Sequence, residues 1–479
     1  MIFSSLEFLL FLPIVLALYY ASSNVRYRNG MLLAASSVFY AAWDWRFLFL
    51  LFGTTIAEWL IGGQISRSES RRAKRLWLAA SLTMNLGSLV LYKYADFFIL
   101  SFRDVLAALG VHVEVHTLNL ILPLGISFTN FQNMTYSLDI YRGELKPHKS
   151  VMEYALFVVF FPQLVAGPIV RAVELVPQIT RGMNATWDDV VVGVNRFLEG
   201  FTKKVLVADN LAPYVDHIFS DPGAYDGLTI WCASIGFAVQ CYCDFAGYSD
   251  MAIGCGRLMG FWMPENFRWP FLATSVADFW RRWHITLYSF MRDYLYVALG
   301  GSRVSAARQV LNAMITMTLV GLWHGAAWNF VIWGVYNGVL LVGHRFVALA
   351  IDRAPALARA LRTLPGTVLR IAVTDMLFFL SFALFRSRGS LSDALRNTER
   401  MLSFDGAGMR ALDPWVPLAF AAVILGSLAC EFRLGERLAS RLTGRPIALP
   451  LQVLGYATIL YVLVLFAPHD TQAFVYFQF

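Results

Sequence analysis

Apolar residues dominate this chain in runs of roughly twenty, the length of a membrane-crossing helix. The hydrophobic pattern predicts helices over about 3–20, 31–43, 46–64, 76–99, 118–139, 151–169, 189–208, 227–256, 273–299, 309–323, 326–351, 368–386, 414–431 and 447–467. Several runs are too short or too polar to cross alone. The expected architecture is therefore an all-α polytopic integral membrane protein with about eleven transmembrane helices, completed by re-entrant or interfacial pieces around a polar tunnel. Non-helical backbone at membrane depth is tolerated only under protein cover or beside water. Pro162, Gly167 and Pro168 break one run, and Pro123 and Gly125 mark another. The arginine-bearing stretches 352–370 and 386–410 read as loops with short amphipathic helices. No internal repeat or linker divides the chain, so residues 1–479 are expected to form a single membrane-embedded domain.

Composition supports this reading. Of 479 residues, 58% are hydrophobic and 15% charged, and mean hydropathy is +0.56. A soluble protein carries about 25% charged residues. The net charge of +7 fits the excess of basic residues on cytoplasmic loops better than an anionic ligand. Arg26 and Arg28, then Arg67 to Arg75, then Arg142, Lys146 and Lys149 occupy alternate loops, which places the N-terminus outside. The first run reads as a retained spanning helix rather than a signal peptide. The five cysteines lack zinc-ligand spacing and read as small buried side chains; no metal site is expected.

Against this apolar background, ionisable residues at depth are expensive and become candidates for function. His324 sits in the run Leu322-Trp323-His324-Gly325-Ala326-Ala327-Trp328-Asn329, and histidine can exchange a proton near neutral pH. Its bland reading is a hydrogen-bonded core histidine. Asn329 follows it by five residues, off its helical face unless Gly325 breaks the helix. The densest polar cluster is Asp278-Phe279-Trp280-Arg281-Arg282-Trp283-His284. On a helix Asp278 meets Arg281 and Arg282 at three and four residues. The segment reads either as a tunnel lining or as an interfacial helix with snorkelling arginines. Asp244 and Asp250 lie in an apolar segment and need partners, for which Arg281 or Arg282 are candidates; structural pairing is the favoured role for both. Gln132, beyond Pro123-Leu124-Gly125-Ile126-Ser127-Phe128, and Gln163, in Phe161-Pro162-Gln163-Leu164-Val165-Ala166-Gly167-Pro168, mark broken helices around a cavity or close helix packing. No serine-elbow, zinc-protease or phosphate-loop motif occurs, which argues against those hydrolytic classes.

Taken together, in order and spacing, these motifs resemble the membrane-bound O-acyltransferase family. They look most like its bacterial branch that acetylates alginate and other exopolysaccharides. Asp244-Phe245-Ala246-Gly247-Tyr248-Ser249-Asp250, Pro264-Glu265-Asn266-Phe267 and Arg292-Asp293-Tyr294-Leu295-Tyr296 belong to the same pattern. The resemblance implies that His324 is catalytic and that His284 is the second functional histidine. Asp278, Arg281, Arg282, Asp244, Asp250, Trp323, Asn329, Gln132 and Gln163 become donor-binding or tunnel-lining candidates. Val297-Ala298-Leu299 and Thr129-Asn130 depart from the branch without touching the histidines. The implied donor is cytoplasmic acetyl-CoA, with no bound cofactor. The implied acceptor is a hydroxyl of an exported polysaccharide, reached with periplasmic partner proteins from a bacterial inner membrane. A D-alanyl transferase for teichoic acids, with a carrier-protein donor, and a polysaccharide transporter remain the alternatives.

Overall fold

The apolar runs fold as helices whose starts are set by short polar caps. Ser5, Asn24, Ser70, Ser150, Ser305 and Thr363 each accept a backbone N–H from the first turn that follows. The computed structural model describes residues 1–387, 391–432, 448–467 and 474. Among these the secondary structure is helical, apart from an isolated bridge between Tyr225 and Met409. Four helices among the described residues are long and apolar enough to cross a membrane: Phe47–Arg67, Gly227–Leu258, Trp328–Asp352 and Leu364–Arg386. Leu6–Tyr20 and Trp415–Glu431 are apolar but shorter. Large apolar side chains such as Leu6, Phe49 and Leu364 are more than two-thirds exposed, a surface suited to lipid rather than water.

Chain contacts group into two compact units. The first comprises Met1–Glu199 and Tyr248–Glu265. Its predicted run 76–99 is not one regular helix. Arg71–Leu89 passes through a π-helical turn at Val90–Tyr94 into Ala95–Ala108. The run 118–139 starts late, as Ile126–Arg142, because Pro123 has no N–H to give and Gly125 takes a left-handed φ of 71°. The expected break near Pro162 is present: helix Val151–Val159 stops at Phe160, and a single turn, Phe161–Leu164, follows. Glu58, with no exposed surface, is held by Ser81 Oγ at 2.7 Å, Asn85 Nδ2 at 2.9 Å and the Ser137 hydroxyl.

The second unit comprises Gly200–Gly247 and Asn266–Phe479. Here the run 273–299 breaks into Val276–Arg282, Ile285–Phe290 and a π-helical turn at Met291–Tyr296. Its hydropathy suggested one long element, but His284 adopts left-handed backbone and ends the first piece. Ala306–His324 and Trp328–Asp352 form a tight helical hairpin. A methyl group on Gly321 would lie 2.2 Å from the Phe330 carbonyl oxygen, and one on Gly334 would lie 2.5 Å from that of Met317, so the two helices touch backbone to backbone. The stretch 352–370 contains the short helix Pro355–Arg362 as expected. Within 386–410 lies Leu391–Ser403, while residues 388–390 are outside the described residues.

Candidate active site

His324 is the last residue of its helix, and extended backbone at Gly325 turns the chain into the next one. A Cβ at Gly325 would meet the Phe330 ring at 2.1 Å, so this turn requires glycine. The imidazole is buried among Trp323, Trp333 and Phe385, with ring centroids 4.9, 5.0 and 5.1 Å away. Asn329 lies in the first turn of the helix that follows, and its amide is engaged elsewhere. Its Nδ2 donates to the Leu384 and Phe385 carbonyls at 3.3 and 3.5 Å, tying down the C-terminal end of the Leu364–Arg386 helix, which carries Phe385.

His284 also contacts Trp323, with ring centroids 5.7 Å apart. Its backbone, at φ 44° and ψ 54°, is in the left-handed region. A non-glycine residue holds that conformation only when its surroundings fix it. They do so here through Asn266. The Asn266 carbonyl accepts Ile285 N–H at 2.8 Å, and its side-chain Oδ1 accepts Thr286 N–H at 3.4 Å and the Thr286 hydroxyl at 2.9 Å. The same Oδ1 lies 3.0 Å from His284 Nδ1. An atom that receives a backbone N–H must be the amide oxygen, so Nδ1 must carry the ring proton. The neutral ring therefore presents a bare lone pair at Nε2. That atom is buried and has no hydrogen-bond partner among the described residues. Phe245 and Phe267 complete its walls.

A cavity of about 350 Å³ runs from buried Trp280 and His284 to exposed Arg292 and Arg345. Thr316, Met317 and Val320 line it from the Ala306–His324 helix. The indole nitrogens of Trp280 and Trp333 are also buried without partners among the described residues, and the two rings meet edge to face at 6.0 Å. A stranded buried polar group costs about 1–3 kcal/mol. Here an acceptor, His284 Nε2, and two N–H donors share one aromatic cluster without protein partners among the described residues.

The other candidates distribute as follows. Asp278 pairs with Arg282 at 3.1 Å, one helical turn away, while Arg281 is exposed. Asp244 and Asp250 do not take Arg281 or Arg282 as partners. Asp244 lies 2.9 Å from Lys204 Nζ, which also binds Asp209 at 2.7 Å, and all three side chains are buried. Asp250 lies 2.8 Å from Arg196, which also reaches Glu265. The cations come from the Trp187–Thr202 helix and the π-helical turn after it, whose apolar stripe hid their role. Gln132, Gln163 and Asp250 belong to the first unit and the two histidines to the second. The Gln163 amide donates to the Phe157 carbonyl, serving the broken helix. Sequence reasoning passed over Asn266, Trp280 and Lys204 as site residues. For Asn266 a signal existed, because Pro264-Glu265-Asn266-Phe267 is part of the motif pattern. Among the described residues no group of histidine, cysteine or carboxylate side chains could hold a metal ion.

Comparison with known proteins places the chain in a family. Residues 83–382 match the model of the membrane-bound O-acyltransferase family. The chain is 42% identical over 408 residues to "Probable alginate O-acetylase AlgI" of Azotobacter vinelandii, covering 84% of this chain and 78% of the relative. It is 41% identical over 406 residues to the protein of the same name in Pseudomonas aeruginosa, covering 84% and 75%. It is 34% identical over 414 residues to "Peptidoglycan O-acetyltransferase" of Helicobacter pylori, covering 81% and 76%. This chain is a multi-pass membrane enzyme that belongs to the membrane-bound O-acyltransferase family.

Proposed function

We propose that this chain is the inner-membrane component of an exopolysaccharide O-acetylation system of the alginate type, moving acetyl groups from cytoplasmic acetyl-CoA toward polymer hydroxyls outside. The observation that carries this reading is the pair of buried histidines that both contact the Trp323 ring, one of them lining a cavity with its Nε2 lone pair unengaged among the described residues. The named relatives, aligned over three quarters or more of their length, are acetyl-transferring enzymes by name, which favours acetyl over D-alanyl transfer. A transport role leaves the stranded site atoms without a purpose.

In this reading the catalytic domain spans 1–479, with about eleven crossings around a polar tunnel. The pantetheine arm of acetyl-CoA enters the cavity past Arg292 and Arg345, whose charges suit the phosphates. His324 removes the proton of the attacking hydroxyl as its oxygen bonds to the thioester carbonyl carbon. The carbonyl electrons move onto oxygen, and the indole N–H groups of Trp280 and Trp333 are the donors within the cluster that can receive that charge. Collapse breaks the carbon–sulfur bond, and the imidazolium returns its proton to the departing thiolate. His284 Nε2 orients the donor. Base catalysis supplies about 10²–10⁴-fold, and positioning and the oxyanion donors supply the rest. The attacking hydroxyl belongs to the polysaccharide or to a serine of a periplasmic partner that completes the transfer.

The test is acetyl release from labelled acetyl-CoA by membranes carrying the protein, alongside acetylation of the secreted polymer. His324→Ala is expected to abolish both while the protein still accumulates. Normal acetylation in that variant removes His324 from the mechanism.

A further inference from the structure

A second cleft, of about 660 Å³, shares no lining residue with the cavity at His284. It lies between Trp328–Asp352, Pro355–Arg362 and Leu364–Arg386, with Thr274–Val276 beside it. Two kinds of surface meet there. Val339, Val347, Leu369 and Val373 form an apolar wall in which each side chain is about half exposed. Arg362 and Arg370 supply a cationic lining with the His344 ring beside them, and Asp352 is the one carboxylate among the lining residues. Arg370 is held in place rather than swinging free. Its Nε and Nη2 donate to the carbonyl and hydroxyl of Thr274 at 3.2 and 3.0 Å, and Nη1 makes no hydrogen bond among the described residues. Arg281 is the further charge that bears on His344. None of these cationic side chains has a carboxylate within ion-pair distance among the described residues.

We propose that this cleft binds one anionic phospholipid, with an acyl chain along the valine and leucine wall and the phosphate on Arg362 and Arg370. A soluble anion has no use for an exposed apolar wall, and a zwitterionic head group brings its ammonium against a cationic cluster. A phosphodiester on an acyl chain complements both surfaces. Basic pockets between helices at a membrane face are suited to such head groups, and a pre-held guanidinium offers paired donors in a fixed plane. The cleft stands beside the catalytic hairpin, since Trp328–Asp352 contributes to both cavities. The inference goes beyond the acetyl-transfer reading and does not depend on it.

The experiment is native mass spectrometry of the delipidated full-length protein in detergent, titrated separately with phosphatidylglycerol, phosphatidylcholine and glycerol 3-phosphate. Phosphatidylglycerol is expected to bind at one saturable site, and phosphatidylcholine at least about tenfold more weakly; each arginine near a membrane surface is worth about fivefold in affinity. Arg362 is exposed and makes no ion pair, so Arg362→Gln tests the charge without disturbing the fold, with a loss of about fivefold. Adding Arg370→Gln deepens the loss. Val347→Trp, which fills the apolar wall and leaves the arginines alone, abolishes the site. Equal binding of the two lipids, or undiminished phosphatidylglycerol binding in both Arg362→Gln and Val347→Trp, overturns the proposal. Binding of glycerol 3-phosphate as tight as that of the lipid also overturns it, because the site then recognises a free phosphate.

Discussion

Asn266→Ala removes the one oxygen that fixes which nitrogen of His284 carries its proton. In the intact protein Asn266 Oδ1 lies 3.0 Å from Nδ1 and 2.9 Å from the Thr286 hydroxyl, all of them buried. Without that acceptor neither ring nitrogen has a partner among the described residues, and the bias of about 1–3 kcal/mol that held the proton on Nδ1 is lost. In the Nε2–H tautomer the lone pair facing the cavity is gone. At 1.4 kcal/mol per factor of ten, the ratio of the Nδ1–H to the Nε2–H tautomer falls about 5- to 150-fold. The expected result is a fall in kcat of up to that size, with the KM for acetyl-CoA little changed. The assay is steady-state thiol release by purified protein. Two companions separate positioning from folding. Asn266→Asp keeps an acceptor at the same place and should recover most of the rate. Thr286→Val loses one hydroxyl contact, leaves the His284 bond intact and should stay within about threefold of wild type. An Asn266→Ala enzyme with unchanged kcat, or a Thr286→Val enzyme as impaired as Asn266→Ala, refutes the tautomer argument.

Other consequences are open to measurement. Lys204→Met leaves the buried carboxylates of Asp209 and Asp244 without their cation; a loss of about 3–5 kcal/mol should appear as a lower thermal midpoint and reduced accumulation in membranes. Gly321→Ala drives a methyl group into the Phe330 carbonyl, so the variant should lose activity together with stability, whereas Gly343→Ala, with open space around it, should do neither. Asp226 caps the Gly227–Leu258 helix from outside it, and a hydrogen bond with Thr229, then the Arg410 guanidinium, holds its carboxyl below the usual range. A depressed carboxyl stabilises the fold above its unfolded pKa and loses that contribution as pH falls through its folded value. The thermal midpoint of Asp226→Asn should therefore lie below wild type at neutral pH and converge with it below about pH 4.

The architecture was legible because a bilayer simplifies the code. Apolar length alone located Phe47–Arg67, Ala306–His324, Trp328–Asp352 and Leu364–Arg386 to within a few residues. Hydropathy failed where side-chain chemistry decides the backbone. The run 273–299 is apolar enough to read as one element, yet Asn266, distant in sequence from Thr286, pulls His284 into a left-handed conformation and splits it. The partners of Asp244 and Asp250 were hidden for a related reason. Lys204 and Arg196 sit on a segment whose apolar stripe looked like another span, and which face of a helix meets a carboxylate is a tertiary fact. The two buried histidines were legible as candidates because an ionisable group at depth stands out in composition. The atom that orients one of them was missed because an asparagine in a loop does not.

The same economy explains why the site is built from aromatic rings. His284 in a left-handed conformation carries a backbone cost of about 1–3 kcal/mol, and the stranded indole and imidazole atoms carry more. Phe245, Phe267, Trp323 and Trp333 surround them with rigid apolar faces. Low-polarity surroundings raise the value of each hydrogen bond made there, so a reactant that supplies an acceptor to the indoles and a donor to Nε2 is held by strengthened contacts. A thioester carbonyl alone satisfies the indoles weakly; the oxyanion formed as the hydroxyl attacks satisfies them well. On the proposed mechanism these atoms therefore favour the transition state over the bound donor. Trp333→Phe, which keeps the ring packing and deletes one donor, should on this argument lower kcat by about 10²–10³-fold while leaving donor affinity nearly unchanged. A Trp333→Phe enzyme that loses affinity and keeps its kcat places that N–H on the ground state and removes the indole from the oxyanion role.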